Sequence, residues 1–93
     1  MELNELRGKI DAIDREITRL FDERMQIAAE IAAYKRENNL PVLDAARERE
    51  KLCAIAESVR PEMREYTLNL YSAIFAQSRG YQEALNRAQE EVN

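Results

Sequence analysis

Arg24 and Glu48 are charged residues standing in apolar slots. Arg24 falls within Leu3, Leu6, Ile10, Ile13, Ile17, Leu20, Arg24, Ile27, Ile31, Tyr34, a series whose spacing alternates between three and four. Glu48 falls within Ala45, Glu48, Leu52, Ile55, Val59. A charge in an apolar seam is costly to desolvate, so it either finds a partner or marks a site. The two residues could pair with each other. Lys35 points to another use. It lies 11 residues after Arg24, which on a helix is ~20° off the same face and ~16 Å along the axis. Two long cationic side chains on one face suit an anionic ligand held between them, above all one bearing carboxylates. Alone, Lys35 would read as a lysine snorkelling at a helix end.

Other polar residues share faces in the same way. Asp44, Arg47 and Glu48 are spaced i, i+3, i+4. Arg47 can order the acids, and Glu48 can accept a hydrogen bond from a ligand hydroxyl. Ser78 and Gln82 are i, i+4 neighbours, a pair that carries little alone. Arg7 precedes Arg24 by 17 residues, ~25 Å and ~100° away on one helix. It cannot serve the same pocket from the same chain, but in an antiparallel dimer it could reach the partner's pocket.

The composition narrows the chemistry. Histidine is absent, which removes the commonest general base and metal ligand. The only glycines, Gly8 and Gly80, form no phosphate-binding loop. An enzyme built from this chain is expected to use no metal, no cofactor and no activated nucleophile. The formal net charge of −4 argues against nucleic acid or an anionic membrane as partner. No apolar run is long enough to span a membrane, and no secretory signal is expected at the N-terminus. Cys53 is the single cysteine; it fits a reducing cytoplasm and reads as a small core residue.

Helices must position these groups. With 93 residues, two glycines and two prolines, the chain reads as one all-α domain over 1–93, with helices over about 2–37, 44–59 and 61–91. Asn38-Asn39-Leu40-Pro41 stops the first, Asp44 caps the second and Pro61 opens the third. Gly80 weakens the third helix without ending its period, which continues through Tyr81, Leu85, Ala88 and Val92. The first helix would be ~54 Å long and the second ~24 Å, whereas a compact domain of this length is only ~32 Å across. Much of the first seam therefore lacks cover within one chain. An intertwined homodimer supplies it, and a monomer with a bent first helix is the alternative.

Taken together, Leu6-Arg7, Ile10, Ile13-Asp14, Leu20, Glu23-Arg24, Ala28, Ile31, Lys35, Pro41-Val42, Asp44, Arg47-Glu48-Arg49, Ser78 and Gln82 resemble the all-helical class of chorismate mutases. Pro-Val-x-Asp-x-x-Arg-Glu-Arg, Pro41 to Arg49, is the most distinctive stretch. The resemblance implies conversion of chorismate to prephenate in aromatic amino acid biosynthesis, by a protomer of long, short and long helices in an interlocked homodimer. It implies that Arg24, Lys35, Asp44, Arg47, Glu48, Ser78 and Gln82 come from one chain and Arg7 from the other. Arg24 and the partner's Arg7 would clamp carboxylates, with Ser78 positioning the ring carboxylate. Lys35 and Gln82 would donate to the ether oxygen. Glu48 and the Asp44 backbone would hold the ring hydroxyl, with Arg47 supporting the acids. A pericyclic step needs neither nucleophile nor metal, in keeping with what the sequence lacks. An isochorismate–pyruvate lyase on the same fold and a non-catalytic helical dimerisation or regulatory module are the alternatives. Feedback control would call for a partner protein, since no regulatory domain is expected in this chain.

Overall fold

The computed structural model describes residues 2–92. Met1 and Asn93, the ends of the domain expected over 1–93, lie outside the described residues. Three α-helices follow one another: α1 (Leu3–Glu37), α2 (Ala45–Ser58) and α3 (Arg64–Val92). A 3₁₀ turn, Pro61–Met63, leads into α3. The third helical segment therefore opens with a tighter turn than expected: Pro61 has no N–H to donate, and Met63 N–H reaches back to the Arg60 carbonyl at 2.9 Å.

The helix ends have local causes. α1 closes in a Schellman motif. Asn39 takes φ 56°, Leu40 N–H donates to the Lys35 carbonyl (2.8 Å), and Asn39 N–H donates to that of Arg36 (3.3 Å). Asn38 adds a side-chain bond from Nδ2 to the Tyr34 carbonyl at 2.8 Å. Asp44 caps α2 by accepting from Arg47 N–H at 3.0 Å. α3 passes through Gly80 without a break.

α3 packs against both α1 and α2. On α1 the buried residues are Ala28 and Ala32, and on α3 they are Phe75, Ser78 and Gln82. The large residues of the alternating seam, Leu6, Ile10, Ile13, Ile17, Leu20, Ile27 and Ile31, are all exposed. Ile55 is buried on α2, while Leu52 and Val59 are half-buried. Cys53 is exposed, contrary to the expectation of a core residue. It sits one position past Leu52, about 100° around α2 from the packed stripe.

The chain has little interior of its own. Its extents are 57 × 28 × 14 Å and its radius of gyration is 16.8 Å, against about 12 Å for a compact chain of this length. Its accessible surface of 7357 Å² exceeds by roughly 1,800 Å² that of a typical folded monomer of its mass. Polar surface pairs decorate the outer face of α1. Arg19 bonds Glu16 (2.8 Å) and Glu23 (3.1 Å). The hydrogen bond from Arg19, and then its charge, hold the exposed Glu16 carboxyl below its ordinary range, and the hydrogen bond to Glu16 and then the charge of Glu16 raise the Arg19 guanidinium.

Candidate active site

A cleft of about 360 Å³ opens among the three helices. Each helix brings one stripe to it. α1 supplies Arg24, Ile27, Ala28, Ile31 and Lys35. The start of α2 supplies Asp44, Arg47, Glu48 and Lys51, spaced i, i+3, i+4, i+7. α3 supplies Phe75, Ser78, Arg79 and Gln82 with the same spacing. The sequence-derived candidates Arg24, Lys35, Asp44, Arg47, Glu48, Ser78 and Gln82 thus meet at one cleft. Arg7 does not: it lies near the other end of α1, exposed and outside the lining.

Arg24 does not pair with Glu48. Its guanidinium carbon sits 5.6 Å from the centroid of the buried Phe75 ring, a cation–π contact. Tyr71 packs edge-on to that ring, with centroids 6.0 Å apart. The contact steadies the guanidinium plane without using its N–H donors, which remain available to an anion.

Lys35 is held by two bonds at the end of α1. Its carbonyl accepts from Leu40 N–H, and its Nζ donates to the Val42 carbonyl at 2.9 Å. The Schellman turn thus fixes the stem, and the connector to α2 fixes the ammonium. An ammonium has three N–H donors, so two stay free after the Val42 bond.

Glu48 pairs with Arg79, which the sequence reading missed. Arg79 Nη1 lies 2.5 Å from both Glu48 Oε1 and Oε2, across a separation of 31 residues. Arg47 was expected to order the acids. Its backbone N–H serves Asp44, but its guanidinium lies 3.6 Å from Glu50, which does not line the cleft. Exposure separates the two: the Arg79 side chain is part-buried against Glu48, whereas that of Arg47 is largely exposed. Lys51 also went unnoticed. The i+7 step beyond Asp44, and the α3 stripe through Phe75 and Gln82, were the signals that could have found both residues.

Gln82 and Ser78 are both buried, and Gln82 Nε2 donates to Ser78 Oγ at 3.1 Å. Among the described residues, Gln82 Oε1 is the one buried side-chain polar atom without a partner. The amide can meet Ser78 in either sense. With its oxygen accepting from the Ser78 hydroxyl, its NH₂ becomes the group left for a ligand acceptor.

Five cationic side chains and two carboxylates line the cleft. It is therefore locally positive although the chain is formally −4. Such a cleft can grip a small polyanion, donate to an oxygen that gains electron density and accept from a hydroxyl. Among the described residues no cluster suited to a metal ion occurs, and no helix is long and apolar enough to cross a membrane.

The sequence profile of chorismate mutase type II matches residues 6–83. The chain is similar to the bifunctional chorismate mutase/prephenate dehydratase of Aquifex aeolicus, at 51% identity over 49 residues, covering 53% of this chain and 14% of that protein. It is similar to the chorismate mutase of Methanocaldococcus jannaschii, at 40% over 48 residues, covering 52% and 48%. It is also similar to the T-protein of Haemophilus influenzae, at 35% over 46 residues, covering 50% and 12%. The chain thus spans less than half the length of each of these relatives. Its fold is similar to that of a Helicobacter pylori chorismate mutase crystallised with prephenate. That match has a TM-score of 0.83 and 34% identity, and it covers 91% of this chain and 93% of the other.

Proposed function

Because this chain belongs to the chorismate mutase type II family, we propose that it isomerises chorismate to prephenate, in a cleft completed by a second copy of itself. The observation that carries the reading is the convergence of Arg24, Lys35, Glu48 and Gln82, drawn from three helices, on one cationic cleft.

The reaction breaks the ether C–O bond as a new C–C bond forms between the enolpyruvyl terminus and the ring. Six electrons move in one cycle, and no proton enters or leaves. The protein has two tasks: to hold the arm over the ring, and to stabilise the negative charge that gathers on the ether oxygen. Arg24, steadied on Phe75, binds a carboxylate. Lys35 and the Gln82 amide donate to the ether oxygen, and Ser78 positions both Gln82 and the ring carboxylate. Glu48 accepts from the ring hydroxyl, aided by the backbone at Asp44, and Arg47 adds charge at the rim.

Arg7 enters from the partner subunit in this proposal. An interlocked homodimer is supported by the bare seam of α1 and by the excess surface, which is of the size that obligate homodimers bury per protomer. The reading places the enzyme in the cytoplasm, in keeping with a lone Cys53 that has no second cysteine to bridge.

The test is an assay of purified chain for loss of chorismate absorbance, with the product identified as prephenate. Pyruvate release from isochorismate would instead support the lyase. Inertness toward both would return the chain to a helical dimerisation module.

A further inference from the structure

Among the described residues, Arg79 is the one cleft cation paired with a carboxylate of the cleft. Its Nη1 bridges both oxygens of Glu48 at 2.5 Å, and the two side chains are 30% and 25% exposed. Arg24, Lys35, Arg47 and Lys51 line the same cleft, and no ion pair joins any of them to Glu48 among the described residues.

Resting on the mutase reading, we propose that Arg79 is a positioning residue: it fixes the Glu48 carboxylate as an acceptor for the ligand hydroxyl and keeps it off the neighbouring cations. Ionised Glu48 has about four lone-pair sites. One bridging N–H group leaves the rest open, so the pair does not consume the acceptor. Without Arg79 the carboxylate would sit, mobile and incompletely paired, among four other cations. Pairing with Arg24 or Lys35 would lose the hydroxyl acceptor and neutralise a group needed for the substrate's negative charge in a single rotamer change. The pair also joins α2 to α3, so the acceptor is registered to the helix that carries Gln82. Ligand hydroxyl and ether oxygen are thereby placed by one rigid pair of elements.

The experiment is a double-mutant cycle of Arg79→Met and Glu48→Gln. It is read in kcat and KM for chorismate, in prephenate affinity by calorimetry, and in thermal midpoint. Arg79→Met keeps the aliphatic stem and removes the guanidinium. The expected result is a loss of about 10- to 100-fold in kcat/KM, the range for losing a hydrogen bond to a charged group. Arg79→Lys should recover most of it. In the Glu48→Gln background the same Arg79 change should cost little, because the residue it positions is already gone. Equal losses in both backgrounds would overturn the proposal by showing that Arg79 meets the ligand directly. A lowered thermal midpoint with unchanged kinetics would overturn it by reducing the pair to a helix tie. A wild-type chain inert toward chorismate and unable to bind prephenate would sink the mutase reading instead. The Arg79 guanidinium NMR resonances then decide the pairing: a shift on Glu48→Gln upholds it, and no shift removes it.

Discussion

The Ser78 hydroxyl and the Gln82 amide are joined by a 3.1 Å hydrogen bond one turn apart on α3, and both side chains are buried. The amide therefore has one end committed and one end aimed at the cleft. An amide does not titrate at ordinary pH. A carboxylate at position 82 would donate only when protonated, and when ionised it would face an oxygen gaining electron density. Gln82→Glu should lose on the order of 100-fold in kcat near neutrality and recover as pH falls, in a single-proton step that the wild type lacks. Parallel pH–rate profiles for the two proteins would remove Gln82 from the ether oxygen.

Arg24 has a ring for support and no ion-pair partner among the described residues. Its removal should cost catalysis more than folding, because the cation's desolvation penalty goes with it. Arg24→Ala should lose about 2–4 kcal/mol of transition-state stabilisation in kcat/KM. Phe75→Leu keeps the charge but frees its orientation, and should cost about 0.5–2 kcal/mol. Full activity in a folded Arg24→Ala protein would exclude the carboxylate clamp.

Arg7 and Lys35 complement each other only if the site is shared between chains. Arg7→Ala and Lys35→Ala proteins should each be inactive. Mixed in equal amounts, they should regain about a quarter of wild-type activity, because half the dimers are hybrids with one native site in two. Hybrid dimers that form and stay inactive would show that Arg7 does not act in trans.

The Lys35 ammonium ties the connector between α1 and α2 through the Val42 carbonyl. Lys35→Met should remove that tie while keeping the stem. Amide hydrogen exchange in residues 40–44 should then rise by roughly 10-fold, in line with the worth of a hydrogen bond to a charged group. Unchanged exchange there would mean that the Schellman turn alone holds the connector.

The exposed Ile13 and Ile17 test assembly. An aspartate at either position should prevent dimerisation, because a charge cannot be buried there unpaired. Sedimentation should show monomer with reduced helicity, and the wild-type thermal midpoint should rise with protein concentration. A concentration-independent midpoint would restore the monomer.

The boundaries of the helices were legible because their stops are local: Asn38-Asn39-Leu40-Pro41 ends α1, and Asp44 begins α2. Arg24 and Glu48 were legible because each breaks a hydrophobic rule. Arg79 breaks none. A cation beside a buried stripe is ordinary on any amphipathic helix, and its link to Glu48 spans 31 residues with no period to betray it. The face by which α1 meets α3 was missed for a related reason. Ala28 and Ala32 are small and weakly hydrophobic, and the larger Ile and Leu residues beside them dominate the pattern. Only the path of α3 shows which stripe is buried within the chain and which stays exposed.

The unbroken course of α1 makes it a ruler. Its 35 residues run without a kink-forming proline or a bulge, so the separation of Arg7 from Arg24 is measured in whole residues. Deleting one residue between them would swing Arg7 by ~100° and draw it in by ~1.5 Å. Deleting seven would nearly restore the angle but shorten the span by ~10 Å. Neither edit would keep both the angle and the span between the two arginines. Over this stretch one side chain can replace another without moving Arg7 relative to Arg24, whereas any change of length moves it.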